Sequence, residues 1–157
     1  MGLTKQEEET IYLIAEKITG TSQQGVFRKD ILVRNVERRM VEVNTRSLAD
    51  YLQLVNSDPL QYQNLVSDLT IHTTSWFREK PHYDLLKQQA ADLFKTAKRP
   101  FKVWSSACST GEEVYSAALV LEGLREHLQG FEYEIHGSDI DIVSVDKAQR
   151  ALYEAAG

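Results

Sequence analysis

Cysteine is almost missing from this chain. Cys108 is the only one in 157 residues, so no internal disulfide forms, and the chain reads as cytoplasmic. No apolar run approaches the ~18 residues that a membrane helix needs. Met1 to Thr10 is polar and acidic, unlike a secretory leader. Gly2 is followed by Gln6 where an acylation signal wants Ser or Thr. Neither membrane insertion nor export is therefore expected. The four histidines, His72, His82, His127 and His136, show no ligand spacing with Cys or acids, so no metal site is expected. None of them lies near Cys108 in sequence, so thiol catalysis is not expected either. Positive charge is in the minority, with 18 Lys and Arg against 23 Asp and Glu and a net charge of −5. That balance argues against generic nucleic-acid binding. Repeats and low-complexity tracts are absent. What is present is ordinary for a globular protein: 42% hydrophobic and 26% charged residues, enough for one domain or two small ones.

The first ~70 residues predict a small all-helical domain by their periodicity. Thr4 is a candidate N-cap with Glu7 as capping-box acid, and Ile11, Ile14, Ala15 and Ile18 follow on one face of a helix from Thr4 to Ile18. Gly20 to Gly25 is a breaker. A second helix is predicted over Asp30–Val43, with Ile31, Leu32, Val36 and Met40 apolar. Arg28, Lys29, Arg34, Arg38 and Arg39 cluster on and around it, against Asp30 and Glu37. By themselves these cations read first as a solvated helix face, and second as a patch for an acidic partner. Ser47 to Asp50 starts a third helix, with Leu48, Tyr51, Leu52 and Val55 inward. Asp58-Pro59 starts a fourth, carrying Leu60, Leu65, Val66 and Leu69.

Residues 71–100 read as a linker and a connecting helix. The β-branched and hydroxyl residues of Thr70 to Ser75 weaken helix, and Trp76-Phe77 would anchor the segment, holding Thr74 and Arg78 beside it. His72 alone is more often a surface or capping residue than a ligand. Lys80-Pro81 then opens a helix to about Lys98, with Tyr83, Leu85, Leu86, Ala90, Leu93 and Phe94 inward.

The chain is organised around the stretch from Val103 to Ser116. Phe101 to Trp104 is a short apolar strand. Ser105 to Gly111 is a small-residue loop, and Glu112 opens an Ala/Leu-rich helix. Strand, tight loop and helix N-terminus form a unit that lets a ligand approach the backbone. Thr110 or Ser109 is expected to cap the helix. Glu112 and Glu113 suit its dipole but would repel a phosphate. A ligand carrying positive charge is expected, and S-adenosylmethionine, with its sulfonium and ammonium, fits. An ordinary acidic first turn on a surface helix fits the same residues. Phe131 to Ser138 alternates as a second strand and ends at Asp139. An acid there suits ribose hydroxyls better than a mere loop or cap role. A final helix is predicted over Ser144–Tyr153. A nicotinamide-dependent oxidoreductase is disfavoured, because Ala107 to Gly111 lacks a G-x-G-x-x-G pattern.

Taken together, Arg28-Lys29-Asp30 with Arg38-Arg39, the run Thr73 to Glu79, the run Val103 to Ser116, and Ser138-Asp139-Ile140-Asp141 resemble the CheR family. Its members are S-adenosylmethionine-dependent glutamate O-methyltransferases of chemotaxis receptors. The resemblance spans nearly the whole chain. It implies an α+β protein: an all-helical receptor-recognition domain at 1–70, then the first half of a Rossmann-like class I methyltransferase domain at 101–157. It also implies cofactor contacts at Thr74, Arg78, Glu113 and Asp139, with His72 at a further contact position. Arg78 would offer its guanidinium to a carboxylate of cofactor or substrate, the one catalytic assignment. Arg28, Lys29, Arg34, Arg38 and Arg39 would face acidic chemoreceptor helices. A non-catalytic module docking on such a partner is the alternative.

Three departures from the family accompany this. His72 stands where Asn is usual, and Val114 where Pro is usual. The chain also stops after its second strand, so a truncated domain is expected. Parallel sheets bury both faces and want further neighbours. A homo-oligomer or strand swap covering the open sheet edge is expected for the chain as it stands.

Overall fold

The computed structural model describes residues 2–20, 29–70, 72–97 and 99–154. The chain divides into two compact units, Met1–Ile71 and His72–Gly157.

The first unit is helical: α1 (Lys5–Thr19), α2 (Lys29–Glu42), α3 (Leu48–Ser57) and α4 (Pro59–Leu69). Each start has a local cause. Thr4 and Glu7 form the reciprocal capping box of α1. Ser47 accepts from the Asp50 amide to cap α3, and Asp58 accepts from Leu60 N–H ahead of Pro59 to cap α4. Residues 21–28, which include most of the predicted breaker and Arg28, lie outside the described residues. Ile11, Ala15, Leu32, Val36, Tyr51, Val55, Leu65 and Leu69 make one core. Leu60 is exposed, because five residues before Leu65 is the far side of a 3.6-residue turn.

The second unit holds α5 (Lys80–Thr96), β1 (Phe101–Ser105), α6 (Glu112–Arg125), β2 (Tyr133–Gly137) and α7 (Ile142–Arg150). β1 and β2 pair in parallel, with Phe101 beside Tyr133 and Val103 beside Ile135. Period-2 alternation sends Phe101, Val103, Tyr133 and Ile135 to one face, against Ala90, Leu121, Leu124 and Phe131. The other face carries Lys102, Trp104, Glu134 and His136, all exposed, with Lys102 and Glu134 paired at 2.8 Å. α5 packs against α6 and belongs to this unit. Tyr83, Leu86, Ala90 and Phe94 form its inner stripe. Leu85 and Leu93 lie off that stripe and are exposed, contrary to expectation. The last helix starts two residues earlier than predicted and ends at Arg150. Asp141 accepts from the Val143 and Ser144 amides to cap it, and Ala151 stops it in the left-handed region.

Candidate functional site

The loop between β1 and α6 is pinned from the β2 side. Cys108 N–H donates to Ser138 O, and Ser138 N–H donates to Ser105 O, both at 2.9 Å. Ser109 takes a left-handed conformation, φ 46°, which turns its N–H onto Asp139 Oδ2 at 2.8 Å. The other oxygen of Asp139 accepts from Asp141 N–H at 2.9 Å. Asp139 thus joins the loop after β1 to the N-cap of α7. Two backbone donors occupy one lone pair on each oxygen, which leaves acceptor capacity for hydroxyl groups of a ligand.

The expected cap of α6 is different. Gly111 is the N-cap, at φ 99°, and no side chain caps the helix. Thr110 Oγ1 is turned away to donate to Glu112 Oε2 at 2.7 Å, and Ser109 is committed to its left-handed turn. The first amides of α6 therefore keep their donor capacity. Only glycine fits at 111: an added Cβ would lie 2.6 Å from Tyr153 Oη and 2.9 Å from Ala148 Cβ.

Glu113 is exposed but not loose. Its Oε1 accepts from Ser105 Oγ, at the end of β1, at 2.7 Å. Glu113 and Asp139 converge on Cys108, which is 2% exposed. Burial pushes the Cys108 thiol up, and the two carboxylates add to the shift. The thiol stays protonated, so it packs rather than attacks. Ser109 Oγ is buried and has no hydrogen-bond partner among the described residues. The two tethered carboxylates suit a ligand carrying positive charge and hydroxyl groups and oppose a phosphate, while the orphaned hydroxyl and the uncapped amides offer donors to its acceptor atoms.

The connector Thr73–Glu79 docks on this loop's helix. Phe77 N–H donates to Ser116 Oγ at 2.9 Å, one turn beyond Glu113, and its ring meets Tyr83 edge-on at 5.5 Å. Trp76 meets Tyr153 edge-on at 4.9 Å. Arg78, next to Phe77, donates from Nη1 to Thr73 O at 2.7 Å and forms no ion pair among the described residues. Thr74, two residues before Trp76, is half-buried. His72 lies against α7: Nδ1 is 3.4 Å from Ser144 Oγ and 3.6 Å from Asp141 Oδ2. Ser144 spends its one proton on Asp141 Oδ2, at 2.6 Å.

In the first unit, the predicted basic patch is partly neutralised from within. Asp68 of α4 bridges Arg38 at 2.7 Å and also Arg39. Glu42 pairs with both arginines as well. Arg34 meets Asp30 only at 3.7 Å and is 74% exposed. Lys29 lies 4.4 Å over the Tyr12 ring. Arg34 and Lys29 are the more available cations. Arg39, at 21% side-chain exposure, holds α2 to α4. Ser105, Ser116, Asp141, Ser144 and Tyr153 make the hydrogen bonds that fix this loop, its connector and α7, roles that the sequence reading assigns to none of them. Asp141 with Ser144 three residues on is a helix-start pattern that was legible. Tyr153 had no local signal.

A strand–loop–helix–strand unit with an acid closing the second strand, joined to a separate helical unit, defines a nucleoside-cofactor-binding α/β protein. Comparison with known proteins narrows this. Residues 72–157 match the family described as CheR methyltransferase, SAM binding domain, and residues 28–70 match CheR methyltransferase, all-alpha domain. The chain belongs to the CheR methyltransferase family. It is 32% identical over 151 residues to chemotaxis protein methyltransferase 2 of Pseudomonas aeruginosa, covering 95% of this chain and 51% of that protein. It is 32% identical over 133 residues to a chemotaxis protein methyltransferase of Klebsiella aerogenes, covering 82% and 43%. The Escherichia coli chemotaxis protein methyltransferase is 31% identical over 128 residues, covering 80% and 43%. The chain spans about half the length of the curated relatives it matches. Among the described residues no helix is long and apolar enough to cross a membrane.

Proposed function

We propose that the protein methylates glutamate side chains on the cytoplasmic helices of chemoreceptors, with S-adenosylmethionine as donor. The single observation that carries this is the paired tether at the loop: Ser105 holds Glu113 and Ser109 holds Asp139, beside uncapped helix amides. Family membership supports the same reading. Bound there, the donor supplies an electrophilic methyl group on a sulfonium. Asp139 accepts from the ribose hydroxyls, and Glu113, Thr74 and His72 complete the contacts. Arg78 draws a carboxylate of donor or substrate into place with its guanidinium. A glutamate carboxylate is already ionised at neutral pH, so no general base is required. The residues orient it and exclude water. Lys29 and Arg34, with Arg28, Arg38 and Arg39, meet the acidic receptor surface.

The test is methyl transfer to receptor-bearing membranes by the natural full-length protein. Arg78→Ala and Asp139→Ala should each lose most of the activity, and near-normal transfer by either variant removes its assigned role. The alternative, a docking module without catalysis, draws on the exposed cations of α2. Calorimetry with S-adenosylhomocysteine separates the two: absent nucleoside binding with retained receptor-fragment binding favours the module.

A further inference from the structure

We infer that Tyr153 is a positioning residue for the cofactor loop, latching it to α7 and to the connector at once. The inference rests on the proposed donor site and extends it beyond the loop itself. Its hydroxyl donates to the Thr110 carbonyl at 2.7 Å, in the peptide that enters the N-cap Gly111. The same ring meets Trp76 of the connector edge-on and Tyr115 of α6 at 5.7 Å. One side chain therefore touches the three segments that carry Thr74, Arg78, Glu113 and the loop amides.

The chain is bent to put it there. Ala151 adopts φ 52°, and its N–H bonds to the carbonyls of Lys147 and Ala148. Past that reversal the chain reaches Tyr153, whose partners are Thr110, Trp76 and Tyr115. Gly111 lacks the Cβ that would collide with the phenol oxygen, so loop and latch fit only as a pair. Opposite, Asp139 fixes the amide of Ser109. The loop is thus gripped at 109 from β2 and at 110 from α7, and the two grips set the aim of the α6 amides between them. Burial, with Glu112 nearby, pushes the Tyr153 phenol up to about 12. It remains a donor throughout the working range of pH.

Tyr153→Phe keeps the ring and deletes only the O–H. Tyr115→Phe is the matched control: it keeps the ring beside Gly111 and deletes only a hydroxyl that donates to Ala148 O at 2.9 Å, not to a loop carbonyl. S-adenosylhomocysteine titrated into the full chain by calorimetry should bind Tyr153→Phe about five- to tenfold more weakly than the unmutated chain, the range one hydrogen bond supplies. Tyr115→Phe should stay within about twofold. Unchanged affinity in Tyr153→Phe overturns the inference. An equal loss in both variants also overturns it, because the effect would then be general packing. A folded unmutated chain that does not bind the nucleoside defeats the donor site itself, and the latch with it. Hydrogen exchange on the unmutated chain gives a reading independent of any mutant's folding. The nucleoside should slow exchange over both 109–113 and 148–154. Protection confined to the loop would sink the latch.

Discussion

Ala151 sits where a residue with a Cβ is strained. At φ 52° the methyl crowds the following carbonyl, and an exposed position gives it nothing in return. Glycine would relieve this, less the extra backbone freedom glycine gains when unfolded. Ala151→Gly should stabilise the second unit by about 0.5–1 kcal/mol, read as a rise of a few degrees in melting temperature. An unchanged or lower midpoint would mean the strain is compensated elsewhere. His72 is a residue-scale finding of another kind. It differs from the usual family residue, and its Nδ1 lies 3.4 Å from Ser144 Oγ and 3.6 Å from Asp141 Oδ2, so a polar ring atom stands at that point against α7.

At the scale of elements, α7 depends on its cap. Burial works to raise the Asp141 pKa. Hydrogen bonds from the Ser144 hydroxyl and from the Val143 and Ser144 amides, with His72 alongside, outweigh it and hold the carboxyl below its ordinary value. A carboxyl depressed in the folded state adds stability that is complete above its unfolded value of about 4 and disappears as pH falls through the folded one. Thermal melts should therefore drop on acidification below about pH 4. Asp141→Asn, which can still cap, should show a shallower drop over that window; identical acid limbs would exclude this carboxyl as the cause. The α2–α4 contact makes a matching case. Asp68 is 11% exposed and holds two guanidinium groups. Asp68→Ala should destabilise the first unit by roughly 1–3 kcal/mol in chemical unfolding, since Arg39 would be left half-buried without that partner. Loss of no more than a surface pair's share would place the contact with ordinary exposed ion pairs. These elements also mark what was legible in the sequence. The starts of α1, α3 and α4 were, because Thr4, Ser47 and Asp58 act on amides two or three residues away. The Asp68 bridge was not, because its partners lie far upstream on another helix and no local pattern joins them. Leu85 and Leu93 are exposed against expectation because hydrophobicity does not say how wide a stripe the neighbouring helix covers.

For the whole molecule, the strand–loop–helix unit and its terminal Asp139 were readable from the order of residue types. The identity of the cap was not. Thr110 and Ser109 both have capping chemistry, but Asp139 holds Ser109 in its left-handed turn and Glu112 takes the Thr110 hydroxyl. The two-stranded parallel sheet leaves the outer edges of β1 and β2 unpaired among the described residues. Unpaired parallel edges seek strands, so the 157-residue chain by itself should associate with a second copy as its concentration rises. Light scattering checks this, and a monomer at every concentration would set the oligomer or strand swap aside.

The chain's two tryptophans give this unit a built-in optical gauge. Trp104 is 72% exposed on the open sheet face, so an aqueous quencher such as iodide reaches it readily. Trp76, at 41%, leans on Tyr153 and shares the connector with Arg78. Once Trp104 is replaced by phenylalanine, the remaining tryptophan emission follows the connector alone, and nucleoside titrations become legible without any label.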